Sequence, residues 1–180
     1  VWYFIPLMIV ASVFPAILEA KKRSGEQYYQ RFQHLYDLMV SLSVGVALPM
    51  TFLSTPIVTL LFGKAFAASG LVLAIHIWAA VFVFLGVASN KWFLAENRQL
   101  LSFQRTMLGA IANVGFNLLL IPVHGAVGSA LATVMSYAIA AFFVDLMHKE
   151  TKAMFIMKVS AFNPVAVYLR YVRGRKLFVQ

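Results

Sequence analysis

Charged positions fall at intervals along this chain and leave four long stretches free of Lys, Arg, Asp and Glu: residues 1–18, 38–63, 65–90 and 106–144. Each is apolar enough, and long enough, to cross a hydrocarbon core of roughly 30 Å, for which about 20 helical residues at 1.5 Å rise are needed. The last stretch has 39 residues and would make a helix of roughly 58 Å if unbroken. It is therefore read as two helices. Pro122 and Gly125 stand near its middle, where proline withholds a backbone donor and glycine admits a left-handed turn. The pattern thus predicts an all-α integral membrane protein, a polytopic bundle with about five spans near 1–18, 38–62, 70–90, 105–122 and 125–146, in one transmembrane domain over 1–147. A basic juxtamembrane tail is expected over 148–180.

Composition agrees with that reading. Of the 180 residues 62% are apolar and 12% charged, against about 25% charged in soluble domains, and the mean hydropathy is +0.83. Val1 opens within an apolar stretch, so the sequence reads as a fragment whose N-terminal half is missing. The basic residues set an orientation, because Lys and Arg are retained on the cytoplasmic side. Four lie in the first connection, three in the third and seven in the tail, against Lys64 alone in the second and none in the fourth. Fourteen against one places the first and third connections and the tail in the cytoplasm. The net charge of +9 is spread over three juxtamembrane segments, which argues against nucleic acid as a partner. The tail alternates basic with apolar residues (Met154, Phe155, Ile156, Met157, Phe162, Tyr168, Tyr171) and is expected to lie as an interfacial helix on anionic lipids; Lys158 and Asn163-Pro164 oppose a sixth span. Trp92, Phe93, Tyr28 and Tyr29 read as interface anchors.

Candidate chemistry is sparse. All six acids (Glu19, Glu26, Asp37, Glu96, Asp145, Glu150) fall at span ends or in connections, the four histidines lack metal spacing, and there is no cysteine. No catalytic residue, metal site or cofactor is expected, and the chain reads as a non-enzyme. His76 lies roughly 9 Å from the outer end of its span and suits either a relay or sugar contact or an interhelical hydrogen bond. Asn113 and Asn117, on one helix face with Gly109, lie about 12 and 18 Å beyond Arg105, where amides either line an aqueous path or bond neighbouring helices. Gly128, Ala132, Ser136 and Ala140 form a stripe of small residues at four-residue spacing, read as a helix-packing face. Pro15, Pro49 and Pro56 mark places where spans can kink.

These residues resemble a known family. The run from Leu108 through Asn113, Asn117, Pro122, Gly125, Gly128, Thr133 and Ser136 to Tyr137 is similar to the penultimate helix pair of the bacterial oligosaccharide flippases, the O-antigen and polysaccharide exporters of the multidrug/oligosaccharidyl-lipid/polysaccharide superfamily. Leu60 to Gly63 followed by Ala67 to Ser69 resembles that family's outer loop, and Val1 to Pro6 with Ser12 to Pro15 its first helix of the second half. The resemblance implies a multi-pass carrier of the bacterial inner membrane that moves undecaprenyl-pyrophosphate-linked oligosaccharides, with other polysaccharide-assembly proteins among its partners. Arg98 and Arg105 would then either capture pyrophosphate near the cytoplasmic entrance, where a guanidinium offers paired donors, or serve only as ordinary positive-inside residues. Asn113, Asn117 and His76 would lie along the path. A multidrug or other small-molecule exporter of the same superfamily is the alternative, and a membrane glycosyltransferase or polymerase a more distant one.

Overall fold

The computed structural model describes residues 4–177, with side chains to 172. Residues 1–3 of the first expected span, 178–180 of the tail and the side chains of Arg173, Arg175 and Lys176 lie outside the described residues. Among the described residues seven α-helices follow one another: α1 (Phe4–Arg23), α2 (Gly25–Phe62), α3 (Ser69–His76), α4 (Ala79–Ala95), α5 (Gln99–Ala141), α6 (Lys152–Ala161) and α7 (Pro164–Leu177). There is no strand among the described residues. Four stretches are long and apolar enough to cross a membrane: α1, α2, α3 with α4, and α5 with the turn after it. The protein is an all-α polytopic membrane protein.

Residue chemistry explains where each helix stops. Ser24 alone separates α1 from α2; its backbone is extended and its hydroxyl accepts from the Glu26 amide at 3.2 Å, a cap for the otherwise unpaired first turn. Gly63 ends α2 at φ +89°, a conformation that side chains resist. Pro15, Pro49 and Pro56 all sit inside continuous helices. The charge-free stretch 65–90 is instead interrupted at Ile77 and Trp78, where the Trp78 indole N–H donates to Thr51 Oγ1 at 3.1 Å.

Helix α5 is a hairpin. Gly125 adopts φ +55°, ψ −132° within it, and the arms 99–124 and 126–141 run back along each other. A Cβ on Gly128 would stand 2.2 Å from the Leu120 carbonyl oxygen, one on Gly109 would stand 2.6 Å from Ala140 Cβ, and Asn113 reaches Ser136. These pairings are all centred on residues 124–125. The four long apolar stretches among the described residues therefore comprise five helical arms, counting α3 with α4 as one.

The core gathers Val10 and Ile17 from α1, Phe32, Tyr36 and Met39 from α2, Phe84, Leu85 and Trp92 from α4, and Met154 and Met157 from α6. Several expectations are corrected by this core. The first connection, residues 19–37 between the expected spans, is helical except at Ser24, because Tyr28, Phe32, Leu35 and Tyr36 form a buried stripe that extends α2. Trp92, Phe93 and Tyr28 are buried rather than interfacial anchors, since α1, α2 and α4 close over them. Helix α6 does not lie free on a surface: Met154, Met157, Lys158 and Ala161 are buried against the bundle, while Ile156, Phe162, Tyr168 and Tyr171 remain exposed.

The basic connections and the tail meet at one end of the bundle. Lys21 Nζ pairs with Glu96 at 2.9 Å and donates to the Ala95 carbonyl at 2.7 Å, and the Tyr28 hydroxyl donates to Glu96 at 2.6 Å. Partial burial pushes the Glu96 carboxyl up, but those hydrogen bonds outweigh it and hold the group below the usual carboxylate range. Arg98 pairs with Glu150 at 2.9 Å. Arg170 grips Asp37 through two nitrogens at 2.8 and 2.7 Å, a fork that lysine cannot reproduce, and ties α7 to α2.

Candidate functional site

At this end a cavity of about 420 Å³ opens between α4 and both arms of α5. Helix α4 supplies Gly86 and Asn90, four residues apart and hence on one face, with Phe82, Val83 and Val87. The first arm supplies Arg105, Thr106, Gly109, Ala110 and Asn113, and the second arm supplies Thr133, Ser136, Tyr137, Ala140 and Ala141. Gly109 keeps the arms close, so small residues rather than bulk shape the wall.

Arg105 dominates the electrostatics. It is 4% exposed, and α4 holds its guanidinium in three ways: Nη2 donates to Asn90 Oδ1 at 2.7 Å and to the Gly86 carbonyl at 3.3 Å, and the plane lies 5.0 Å from the centre of the Phe93 ring. Ser102 donates to the same Asn90 oxygen at 3.0 Å. These hydrogen-bond partners are neutral. The guanidinium is therefore held without an ion pair among the described residues, and Nη1 is buried with no hydrogen-bond partner. An unsatisfied donor on a buried cation costs more than the roughly 1–3 kcal/mol of a neutral one, so the site holds unspent attraction for an anion.

The structure brings together only some of the residues singled out by sequence. Arg105 and Asn113 line the cavity. Asn113 Nδ2 donates to Ser136 Oγ at 3.1 Å, which braces the two arms, and Asn117 Nδ2 donates to Asn113 O and Oδ1 at 2.8 and 3.0 Å. Asn117 thus stands behind the cavity wall and orients Asn113. Arg98 is exposed and engaged with Glu150, outside the cavity. His76 ends α3 and lines a separate apolar cleft with Val58, Phe62, Phe66, Ser69, Val72 and Leu73. Gly128, Ala132 and Ser136 are buried; Gly128 abuts the opposite arm, whereas Ser136 and Ala140 also face the cavity. Asn90 and Thr106 were not singled out by sequence, and Thr133 and Tyr137 entered only within the run that carries the resemblance, with no site role. Asn90 had a signal, an amide closing an otherwise apolar stretch, but its pairing with Arg105 needs the turn at 96–98. No cluster of three or more His, Asp or Glu suited to a metal occurs among the described residues.

The described residues thus make a polytopic helical membrane protein with a buried cation in a cavity of amides, hydroxyls and small residues. The family model of the lipid II flippase MurJ matches residues 4–173, and the chain belongs to that family. Comparison with curated proteins and with solved structures gives no significant match. The family is one of transporters that flip a lipid-linked precursor across the membrane. The motifs pointed to O-antigen and polysaccharide exporters and the matched family is described for lipid II; a flippase of the same superfamily is what the two share.

Proposed function

We propose that this chain forms one wall of a carrier that moves a polyprenyl-pyrophosphate-linked glycan across the bacterial inner membrane, with lipid II as the substrate class and the facing wall supplied by a second helical half. Arg105 carries the reading. A cation buried at a cost of several kcal/mol, held by neutral partners in a cavity that also offers Asn113, Thr133, Ser136 and Tyr137, suits a ligand with an anionic linkage and many hydroxyls. Pyrophosphate takes the guanidinium, and the amide and hydroxyls meet sugar through neutral contacts weak enough to release. Such a site sits badly with uncharged or cationic drugs. O-antigen units share the pyrophosphate linkage, and the family match is what favours lipid II over them.

The test is transport by the purified protein in vesicles loaded on one face with lipid II or with an undecaprenyl-pyrophosphate O-antigen unit. Flipping of lipid II is expected. Flipping of the O-antigen unit alone would move the substrate class, and flipping of neither would overturn the carrier reading.

The basic end, including the tail, is assigned to the cytoplasm on the charge asymmetry. With Cys introduced at Lys64 or Gln99 in an otherwise cysteine-free form, an impermeant thiol reagent applied to spheroplasts should label position 64 and spare 99. Labelling at 99 alone would invert the orientation.

A further inference from the structure

The Arg105 cavity adjoins a second compartment. A groove of about 560 Å³ lies over α4 between α1 and the first arm of α5, and Val87, Asn90 and Thr106 line both it and the cavity. Asn90 and Thr106 therefore form a shared polar sill. Beyond it the walls are chiefly apolar, with Leu7 from α1, Phe93 and Leu94 from α4 and Phe103 from α5. Leu7, Leu94 and Phe103 are about half exposed, which is ordinary where helices face lipid. This groove differs from such a surface in being concave and continuous with a buried cation: the Phe93 ring in its wall is the one against which the Arg105 guanidinium lies.

The groove has a cation of its own. Lys91 is half-buried in it, and its ammonium stands 5.2 Å from the centre of the Phe14 ring of α1. No acid pairs with Lys91 among the described residues, whereas Lys21, Arg23, Arg98, Lys158 and Arg170 each have a carboxylate. Adjoining compartments thus hold two cations by aromatic rings and neutral groups alone, and both keep their charge open to an anion.

From the cavity into the groove, the lining passes from amide and hydroxyl groups (Asn113, Thr133, Ser136), through Arg105 and Lys91, to apolar side chains. A glycan joined by pyrophosphate to a polyprenyl chain has the same three parts in the same order. We propose that the groove between α1 and α5 is the subsite for the first isoprene units of that chain, with Lys91 a second contact for the pyrophosphate beside the sill. The remainder of the chain runs on in the bilayer. Seating the chain on one side of the sill fixes which way the glycan points, into the cavity. This rests on Arg105 meeting the pyrophosphate as proposed above.

Photolabelling of the whole protein in nanodiscs tests the subsite without any substitution. The probe is farnesyl pyrophosphate carrying a diazirine on its terminal isoprene unit, with adducts mapped by mass spectrometry. Adducts are expected at residues 94–103 and around Leu7, and excess inorganic pyrophosphate should suppress them. Adducts confined to other exposed apolar residues, such as Leu118 and Leu119, and indifferent to pyrophosphate would overturn the groove. Binding by variants is the second arm. Leu94→Ala with Phe103→Ala should weaken farnesyl pyrophosphate about tenfold and leave inorganic pyrophosphate unchanged. Lys91→Gln should weaken both about threefold, and Leu118→Ala with Leu119→Ala should change neither. If the Leu94, Phe103 variant binds farnesyl pyrophosphate as the parent does, the groove is overturned and the Arg105 site stands; if Lys91→Gln binds both as the parent does, the contact at Lys91 is overturned. If Arg105→Gln binds inorganic pyrophosphate as the parent does, the carrier site itself fails.

Discussion

Gly128→Val is expected to remove most of the folded protein from the membrane. The Cβ position at residue 128 lies 2.2 Å from the Leu120 oxygen, 2.6 Å from the Leu120 carbonyl carbon and 3.1 Å from the Ile121 nitrogen, all backbone atoms that cannot swing away as a side chain would. The arms must separate, and the Asn113–Ser136 bond and the packing of Gly109 on Ala140 lie further down the same seam. Overpacking alone costs about 1–3 kcal/mol, and prying the hairpin apart also breaks that bond and opens that packing. A total of about 3 kcal/mol or more is a large share of the 5–15 kcal/mol that typically holds a fold together. Gly115→Val is the control, because no atom lies within 4 Å of its Cβ position and it faces outward. Membrane abundance and the melting temperature of a fluorescent fusion should fall sharply for position 128 and little for 115; equal effects would refute the seam.

Arg105 should show the opposite signature, with function lost while the fold is kept. Replacing it by Gln removes a desolvated charge whose Nη1 is unpaired, so thermal stability should hold or rise. Transport should fall about 100-fold, the equivalent of roughly 3 kcal/mol, or two charge-assisted hydrogen bonds at about 1.5 kcal/mol each. Arg105→Lys keeps the charge but cannot hold Asn90 and Gly86 O, lie on Phe93 and donate to phosphate together. An intermediate loss of about tenfold is expected for it. A merely structural arginine would lose stability and transport in step.

The long apolar helices and the reversal in α5 were legible because each depends on local sequence: charge-free length, and the Pro122–Gly125 pair whose glycine tolerates the φ of the reversal. The end of the bundle was not. Tyr28, Phe32 and Tyr36 repeat at four-residue spacing, a stripe that announced the extension of α2, yet the charged residues interleaved with them read as a connection. Lys158 read only as an obstacle to a sixth span; its burial was not legible because its counter-charge, Asp145, stands 13 residues away across two short 3₁₀ turns and reaches it only after the chain doubles back. Arg105 sits at the edge of a charge-free stretch and read as an entrance residue; what buries it are Asn90, Gly86 and Phe93 of another helix. Arg98 and Arg105, seven residues apart, looked equivalent until Glu150 claimed the first. Helix existence is a local property, whereas the partner of each charge is a tertiary one.

We propose that the Arg105 cavity carries the pyrophosphate of a lipid-linked glycan through the membrane. The most direct measurement is lipid II flipping in vesicles with the parent protein, Arg105→Lys and Arg105→Gln at matched protein levels and matched melting temperatures. Rates falling in that order, with the Gln variant near background, are the predicted result; a Gln variant that flips lipid II at the parent rate would contradict the account.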